Sequence, residues 1–378
     1  MYLKSLPMIA ATAAAVSSPA TAHDDRLIEF PQTLDGGFIL AADLHTHSVF
    51  SDGAVWPSIR VEEAQRDGLE LLAVTEHLEA QPKEADIPNP DRNRSYEVAV
   101  ESLVRSGGQG LMVINGAEVS RRQPYGHINA VFLDDANALL TSDVEDALKA
   151  ANDQNGFVFV NHPNWIPHQP DGVARLSDEL IELIESGLIH GIEVVNGTLD
   201  GHSEEALELA FQYDLTVLGT SDIHGLVDWT HNAGSGGHRP MSLILADERT
   251  PEAMKQALFD GHTVAWSYDD LMGGAENVEK VVRACLTLEA KPYPENTTVL
   301  PVDIVNNCPV NFTLRNTSEE TFQNVSDVVR VERDGRFTLQ VRTGAEPVST
   351  LDLKFEVMNT QVGSRRSLEL AFSADVPE

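Results

Sequence analysis

The sequence predicts an α/β barrel followed by a smaller antiparallel β-domain. From residue 38 to about residue 225, short apolar segments alternate with amphipathic ones, which is typical of parallel strands covered by helices on both faces. About seven such units in succession favour a closed or nearly closed barrel over an open sheet. From about residue 276 onward polar and apolar residues alternate instead, and this period of two predicts half-buried strands.

The predicted barrel elements follow one another along the chain. The strands are short and almost continuously apolar, and they are 38–45, 70–77, 110–120, 126–133, 157–163, 189–197, 216–224 and 241–246. The helices carry their apolar residues on one face, and they are 56–68, 95–107, 143–156, 177–187, 203–214 and 250–261. Pro57 suits the first turn of the first helix and Gly68 its end, while Ser177 is a residue type that caps helix N-termini.

The C-terminal domain is predicted to be a β-sandwich of roughly 100 residues. Its predicted strands are 281–290, 299–306, 309–316, 330–343 and 350–359. We therefore divide the chain into a signal peptide (1–22), a barrel domain (23–275) and a C-terminal sandwich domain (276–378). The two cysteines of the chain, Cys285 and Cys308, are either joined in a disulfide, as is common in exported proteins, or are two separate buried thiols.

The first 22 residues have the pattern of a secretory signal peptide. Lys4 precedes an alanine-rich apolar run, and Ala20, Thr21 and Ala22 fit the A-x-A cleavage pattern. Cleavage after Ala22 would give a periplasmic or secreted protein. No later segment has the run of about 18 apolar residues that a membrane span needs, so no span is expected.

The charge of the chain bears on its partners. The sequence has 26 basic and 59 acidic residues, a net charge of −33. Such a surface repels phosphate backbones, so binding to a nucleic-acid polymer is not expected, and the acidic excess is most simply explained by solubility. The sequence does not indicate an oligomeric state.

Histidines and carboxylates recur where the predicted strands end. The first strand runs into "DLHTHSVFSDG", in which His45 and His47 are two residues apart and so face the same side of a strand. The other candidates follow it or lie at the ends of later strands, and they are Asp52, His77, Glu118, His127, His162, Asp222 and His224. Because the carboxyl ends of barrel strands open on one face, we expect these side chains to converge.

The number and type of these side chains predict a metal centre with more than one ion. Any one histidine is more often structural, but nine nitrogen and oxygen ligands exceed the three protein groups that one catalytic zinc needs. They suit two or three ions that share a bridging carboxylate. Imidazole and carboxylate ligands together fit Mn²⁺, Fe²⁺ or Zn²⁺, and we favour Mn²⁺ among these.

Six stretches of the chain resemble the PHP (polymerase and histidinol phosphatase) superfamily of metallo-phosphoesterases. They occur in the order of the family between residue 40 and about residue 265, and they are "DLHTHSVFSDG", "AVTEH", "GAEVS", "GHINAVFL", "NHP" and "SDIHG". Each stretch alone has little specificity, whereas the whole set is highly specific. The resemblance implies a distorted (β/α)7 barrel that holds a trinuclear site, which agrees with the strands predicted above.

The resemblance also implies which residues bind each ion. The first ion would be held by His45, His47, Glu118 and Asp222. Glu118 would bridge to a second ion, which His127 and His162 complete. The third would be held by Asp52, His77 and His224. Glu76 stands where many members of the family have aspartate, and it is expected to orient His77 from outside the ligand set.

The activity implied by the resemblance is hydrolysis of phosphate esters by a hydroxide that bridges two ions, with Glu118, Asp222 and His224 positioning it. Three divalent ions (+6) and the carboxylates of Asp52, Glu118 and Asp222 (−3) leave the pocket locally at about +3, so the expected partner is a small anionic phosphate ester. The candidate substrate contacts are loop residues, namely Arg239, His202, Arg175, Asn196, Trp165 and His168.

The preferred substrate class is a phosphodiester. Few arginines lie near the predicted barrel mouth, whereas a phosphomonoester dianion usually calls for additional cationic contacts. Export favours small alkyl, haloalkyl or nucleotide-like diesters from outside the cell. The alternatives are a phosphomonoesterase or nucleotide phosphatase of the same family, and a non-catalytic exported binding protein on the same scaffold. The complete ligand set speaks against the last.

Overall fold

The computed structural model describes residues 28–108, 110–198, 202–233 and 236–377. The first part of the chain contains ten strands: β1 (Phe38–Asp43), β2 (Leu71–Val74), β3 (Met112–Ser120), β4 (His127–Val131), β5 (Phe157–Val160), β6 (Gly191–Asn196), β7 (Thr216–Thr220), β8 (Met241–Ala246), β9 (Thr263–Ser267) and β10 (Asp270–Met272). The predicted signal peptide, residues 1–22, lies outside the described residues. No helix within them is long and apolar enough to cross a membrane.

The helices of this part lie between the strands. They are α1 (Pro57–Asp67), α2 (Arg94–Ser106), α3 (Val144–Asp153), α4 (Asp178–Glu185), α5 (Glu204–Gln212), α6 (Val227–His231), α7 (Pro251–Phe259) and α8 (Ala275–Cys285), with a 3-10 turn at Ala136–Leu139. The predicted helix end at Gly68 and the predicted helix start at Ser177 are confirmed. Gly68 ends α1 in the left-handed region at φ 82°, and the Ser177 side chain accepts a hydrogen bond from the Leu180 backbone at the start of α4.

The remaining strands form the C-terminal domain. They are β11 (Leu286–Ala290), β12 (Val299–Asn306), β13 (Phe312–Asn316), β14 (Thr321–Phe322), β15 (Val328–Val331), β16 (Arg336–Arg342), β17 (Thr350–Val357), β18 (Thr360–Gln361) and β19 (Leu368–Asp375). Two four-stranded sheets, β11-β12-β16-β14 and β15-β13-β17-β19, pack their alternating apolar residues against each other. The predicted antiparallel sandwich is therefore confirmed.

Two predicted strands are wrong in part. The segment 330–343 is not one strand, because a turn at 332–335 separates β15 from β16 and the two lie in different sheets. Residues 281–285 belong to α8 rather than to a strand, and β11 begins only at Leu286. Val278, Val281, Val282 and Cys285 are all fully buried, and their spacing of three, one and three residues is the period of a helix face.

The barrel sheet has eleven strands in the order β18-β10-β9-β8-β1-β2-β3-β4-β5-β6-β7. It is not wholly parallel, contrary to the expectation from the apolar segments. β4 runs antiparallel to both of its neighbours, because only residues 121–126 connect it to β3 and a parallel connection needs a dozen residues or more. β8 is also antiparallel to β1 and β9. The start of β4 therefore lies at the same rim as the end of β3.

The sheet curls until β7 meets β8. The Ser242 hydroxyl on β8 donates to the Gly219 carbonyl oxygen on β7 (2.9 Å) and accepts from the Gly219 amide (3.1 Å). A Cβ atom on Gly219 would lie 2.6 Å from the Met241 carbonyl oxygen, so only glycine allows this approach. Within the described residues, β7 and β8 share no backbone hydrogen-bond ladder. The hydrogen bonds of the Ser242 side chain join them and so close the distorted barrel.

The two domains share a sheet, and a disulfide ties the end of α8 to the loop between β12 and β13. β18 pairs in parallel with β10 of the barrel, and the Asn359 amide donates to the carbonyl oxygens of Asp269 and Asn311. Cys285 at the end of α8 is bridged to Cys308, with a Cα–Cα distance of 5.1 Å, so of the two alternatives the disulfide is present. The exact domain boundary at residue 275 stays a prediction.

Candidate metal centre

The rim of the barrel brings the first and last ligand-bearing strands together. The Asp222 amide donates to the His45 carbonyl oxygen (2.9 Å), and the His47 amide donates to the Ile223 carbonyl oxygen (3.1 Å). Two of the predicted ligands, His162 (φ 27°) and Asp222 (φ 48°), are non-glycine residues with positive φ. Backbone strain of this kind concentrates at functional sites, where the surrounding structure maintains it.

A first group of donor atoms consists of His45, His47 and Asp222. The Nε2 atoms of His45 and His47 are 3.0 Å apart, and they lie 3.3 and 3.1 Å from Asp222 Oδ1. Glu118 Oε2 approaches both rings, at 3.6 and 3.4 Å. The four residues predicted for the first ion are thus together and buried.

A second group forms around Glu118. His127 Nδ1 lies 2.9 Å and His162 Nε2 3.7 Å from Glu118 Oε1, while His77 Nδ1 lies 2.6 Å from Oε2. Glu118 therefore has His127 and His162 near its Oε1 atom and His45, His47 and His77 near its Oε2 atom. A carboxylate that bridges two ions requires such an arrangement. His77, predicted for the third ion, is shared with this second group.

A third group consists of His47, Asp52, His77 and His224. His224 Nε2 is 3.2 Å from Asp52 Oδ1, and His77 Nε2 is 3.3 Å from Asp52 Oδ2. The side chains of Asp52 and His224 are both 35% exposed, whereas that of His45 is fully buried. The cluster is therefore open to solvent on the side of Asp52 and His224.

The donor set fits divalent cations. Most of the donor–donor distances lie between 2.9 and 3.7 Å, close to the separation of about 3.3 Å expected between ligands of a tetrahedral ion with bonds of about 2.0–2.1 Å. His77 Nδ1 and Glu118 Oε2 are closer, at 2.6 Å. His162 Nδ1 is buried without a hydrogen-bond partner, and the short contacts of Glu118 Oε2 and His127 Nδ1 given above lack hydrogen-bond geometry. Buried polar atoms in this state are costly unless another group satisfies them. Nitrogen and oxygen donors without sulfur are the ligands of Mn²⁺, Fe²⁺ and Zn²⁺.

The electrostatics of the cluster also call for positive charge. Burial alone would lower the pKa of His77, but Glu118 and Asp52 outweigh burial and raise it to about 10. Burial alone would raise the pKa of Glu118, but His77 and His45 hold it well below its usual value. At His47 burial prevails and lowers the pKa to about 4. Protons and cations therefore compete for the same ring nitrogens.

Glu193 is a site residue that the sequence reasoning missed. It is buried on β6, and its Oε1 lies 2.7 Å from His45 Nδ1 and accepts from the Thr220 hydroxyl (2.6 Å). Its Oε2 accepts from the His162 amide (2.6 Å). The carboxylate thus directs the Nε2 atom of His45 into the cluster and fixes the backbone at His162. An acidic residue within the apolar segment "IHGIEVVNG" was the available signal.

Two predictions of residue roles are wrong. Glu76 does not contact the His77 ring; its carboxylate accepts hydrogen bonds from the hydroxyls of Ser48 and Ser51 and so holds the loop before Asp52. Arg239 is not a substrate contact, because its side chain is fully buried. It pairs with Asp43 (3.2 Å) and Asp67 (2.8 Å).

The other predicted substrate contacts lie in different surroundings. Asn196 is buried, and its amide donates to Glu193 Oε2 (2.8 Å) and Asp222 Oδ2 (3.3 Å), so it supports a ligand. His202 lines a cleft of about 320 Å³ together with residues of both domains, among them Asp270 and Arg366. Arg175 is exposed and pairs with Asp171 (2.7 Å). Substrate contact by His202 and Arg175 stays a prediction.

The barrel and its cluster of nitrogen and oxygen donors define a metal-dependent hydrolase, and comparisons with known proteins agree. A two-domain protein from Bacteroides vulgatus that contains a predicted PHP-like metal-dependent phosphoesterase is 33% identical, with a TM-score of 0.83. The similarity covers 92% of this chain and 98% of that chain. This chain therefore belongs to the family of PHP-like metal-dependent phosphoesterases.

Further comparisons concern the single domains. Residues 286–373 match the family model DUF5001, an Ig-like domain. The lesion-specific endonuclease EndoQ from Pyrococcus furiosus is 16% identical, with a TM-score of 0.39 over 63% of this chain and 59% of that chain. An amidohydrolase from Chromobacterium violaceum with bound sulfate is 18% identical, with a TM-score of 0.35 over 49% and 87%. These two similarities carry no functional argument. Among curated proteins, none matches this chain.

Proposed function

We propose that this phosphoesterase is a phosphodiesterase for small organic phosphodiesters and that it works with three divalent cations. The observation that carries the proposal is the overlap of three donor groups at one rim, which share His47 and His77. The first cation would be held by His45, His47, Glu118 and Asp222, the second by Glu118, His127 and His162, and the third by Asp52, His77 and His224. Mn²⁺ is the favoured metal among Mn²⁺, Fe²⁺ and Zn²⁺.

When bound, such cations supply Lewis acidity to a water molecule and to the phosphoryl oxygens. The residues of the chain then have distinct tasks. Glu118 contacts His77 with one carboxylate oxygen and His127 with the other. It would therefore set the distance between the donor groups. His224 at the solvent-facing side lies 3.7 Å from the buried Asp222, and together they would position the attacking water.

The charge around the cluster supports an anionic substrate. Three divalent cations would carry +6, and the carboxylates of Asp52, Glu118, Asp222 and Glu193 return −4, which leaves about +2. The Lys83 ammonium donates to the Ser51 and Gly53 carbonyl oxygens, so a further positive charge lies beside the loop that carries Asp52. An anion is thus attracted in spite of the net charge of −33.

The arginines around the ligand strands support a diester over a monoester. Arg60 donates to the carbonyl oxygens of His47 and Ile223 and pairs with Glu63. Arg239 is occupied by Asp43 and Asp67. Neither guanidinium is free to bind a substrate oxygen, and a monoester dianion gains more from such contacts than a diester monoanion does.

The substrates we propose are alkyl, haloalkyl or nucleotide-like diesters outside the cytoplasm. This part of the proposal is supported by the signal-peptide pattern of residues 1–22, with cleavage after Ala22.

The test is a comparison of two chromogenic esters with the full mature chain loaded with Mn²⁺. We expect a higher kcat/KM for bis(p-nitrophenyl) phosphate than for p-nitrophenyl phosphate, and loss of both activities in EDTA. Asp52→Asn should lower kcat for the diester by about 100-fold or more, because it removes a charged ligand. A faster monoester reaction would indicate a phosphomonoesterase, and hydrolysis of neither ester by metal-loaded protein would contradict the proposal.

A further inference from the structure

An aromatic side chain lies directly against the second donor group without belonging to it. Trp165 is in the loop that follows β5, three residues after His162. The centroid of its ring lies 5.2 Å from the ring of His162 and 5.3 Å from that of His127. It is therefore at the edge of the cluster, beside the two histidines on Glu118 Oε1.

His168 extends this aromatic surface. Its ring lies 4.7 Å from the Trp165 ring and 5.2 Å from the His127 ring, in edge-to-face orientation to both. We call Trp165 and His168 the aromatic wall. Both side chains are half-buried, so the wall is partly open to solvent next to the cluster.

The backbone holds the wall in place. The Trp165 amide donates to the His162 carbonyl oxygen (2.9 Å), and the amides of His168 and Gln169 donate to the Trp165 carbonyl oxygen (2.9 and 2.7 Å). The position of the indole is thus tied to the ligand His162. An apolar surface that is fixed and partly open to water suits a ligand group, because binding there costs little ordering of the protein.

We propose that the aromatic wall binds the ester group of the substrate and selects a planar aromatic one, such as an aryl or nucleobase-bearing alcohol, over a small alkyl group. The inference rests on the proposed function in that a phosphoryl group must lie at the cluster, and among the substrates proposed above it favours the nucleotide-like diesters over the alkyl and haloalkyl ones. A flat ring that follows the phosphoryl group toward His127 and His162 meets the Trp165 face or edge, where aromatic pairs are favourable at centroid distances of about 4.5–7 Å.

The test uses two ligands that are not hydrolysed and that differ only in this group. Binding of phenylphosphonate and methylphosphonate to the full, Mn²⁺-loaded chain is measured by calorimetry. We expect phenylphosphonate to bind about fivefold to tenfold more tightly, as an aromatic contact allows. In Trp165→Ala this preference should fall to about twofold or less, while methylphosphonate affinity and bound Mn²⁺ stay the same. Trp165→Phe should keep most of the preference.

The matched control is Trp229→Ala. Trp229 is 77% exposed on α6, whose Asp228 pairs with Arg66 of α1, and its removal should leave the preference unchanged. A wild-type chain without preference, or a preference that survives in Trp165→Ala, would overturn the proposal. An equal loss for both phosphonates, or a loss of Mn²⁺, would show that Trp165 only supports the ligands. Since binding is measured, a failure of diester hydrolysis is a separate result.

Discussion

At the scale of single residues, Glu193 illustrates how a side chain outside the ligand set shapes the metal centre. The Glu193 carboxylate contacts the His45 ring of the first donor group and the backbone amide of His162. The ring of His162 in turn faces Glu118. It also accepts hydrogen bonds from the Thr220 hydroxyl and the Asn196 amide. A histidine whose second nitrogen is bound in this way presents the first nitrogen to a metal in a fixed direction.

The first prediction concerns this carboxylate. Glu193→Gln should lower the affinity for Mn²⁺ by about 10- to 100-fold, because His45 loses the charged acceptor that fixes its tautomer. A competition titration against a chelator measures the effect, with the exposed Glu185 on α4 changed to Gln as the control. An unchanged affinity in Glu193→Gln would show that the contact is not needed for metal binding.

A second carboxylate predicts a pH dependence of stability. Asp303 on β12 is buried, and burial alone would raise its pKa, but hydrogen bonds from Lys291, Thr338 and Arg336 lower it to about 2. A carboxyl whose pKa is lower in the folded chain stabilises the fold above its unfolded pKa of about 3.9, and the contribution disappears as pH falls through the folded value.

Asp303→Asn should therefore reduce the free energy of unfolding by about 1–2 kcal/mol at about pH 7, since Lys291 and Arg336 are half exposed and screened. The difference from wild type should shrink as the pH is lowered toward about 3. Urea unfolding at both pH values measures it, and a difference that stays constant or grows at the lower pH would contradict the assignment.

The ligand residues were predictable from the sequence, whereas their supporting residues were not. His45, His47, Glu118 and Asp222 stand at strand ends, and the strand period fixes the face on which they point. Glu76 stands next to the ligand His77, and Arg239 stands in the loop after the last ligand strand, so both were expected to act at the site. Their side chains contact Ser48 and Asp43 instead. Which way a long side chain turns depends on partners that are distant in the chain, so the sequence alone does not show it.

At the scale of elements, the direction of strands was the least predictable feature. The apolar segments show that strands are buried, but a period carries no direction. For β4 the short connection 121–126 was a sufficient signal. For β8 the length of the connection gave no signal. About twenty residues separate β7 from β8, and a connection of this length allows either strand direction. His127 reaches the cluster only because β4 is reversed, so strand direction is part of the site.

The third prediction tests the closure of the barrel at Gly219. Gly219→Ala should lower the free energy of unfolding by about 1–3 kcal/mol, because the new Cβ atom overpacks the contact between β7 and β8. Gly274→Ala is the control: its φ is −58° and its nearest neighbour would be 3.9 Å away, so a change below about 1 kcal/mol is expected. Equal stability of Gly219→Ala and wild type in urea would contradict the close approach.

At the scale of the whole molecule, the Ig-like domain contributes one short strand to the barrel sheet. β18 is two residues long, yet it pairs with β10, and Arg333 donates to the Gly236 carbonyl oxygen in the loop between β7 and β8. The sequence predicted the two domains from their different periods, but it did not show how they dock. A two-residue strand has no period, so its pairing can be read only from the fold.

The proposed function requires that several cations share one cluster, and the metal content of the purified chain tests this most directly. After loading with Mn²⁺ and removal of free metal, elemental analysis should give about three ions per chain, one for each donor group, and Glu118→Gln should bind fewer, because the bridging charge is lost. A wild-type chain that retains one ion or none under these conditions would contradict the shared metal centre.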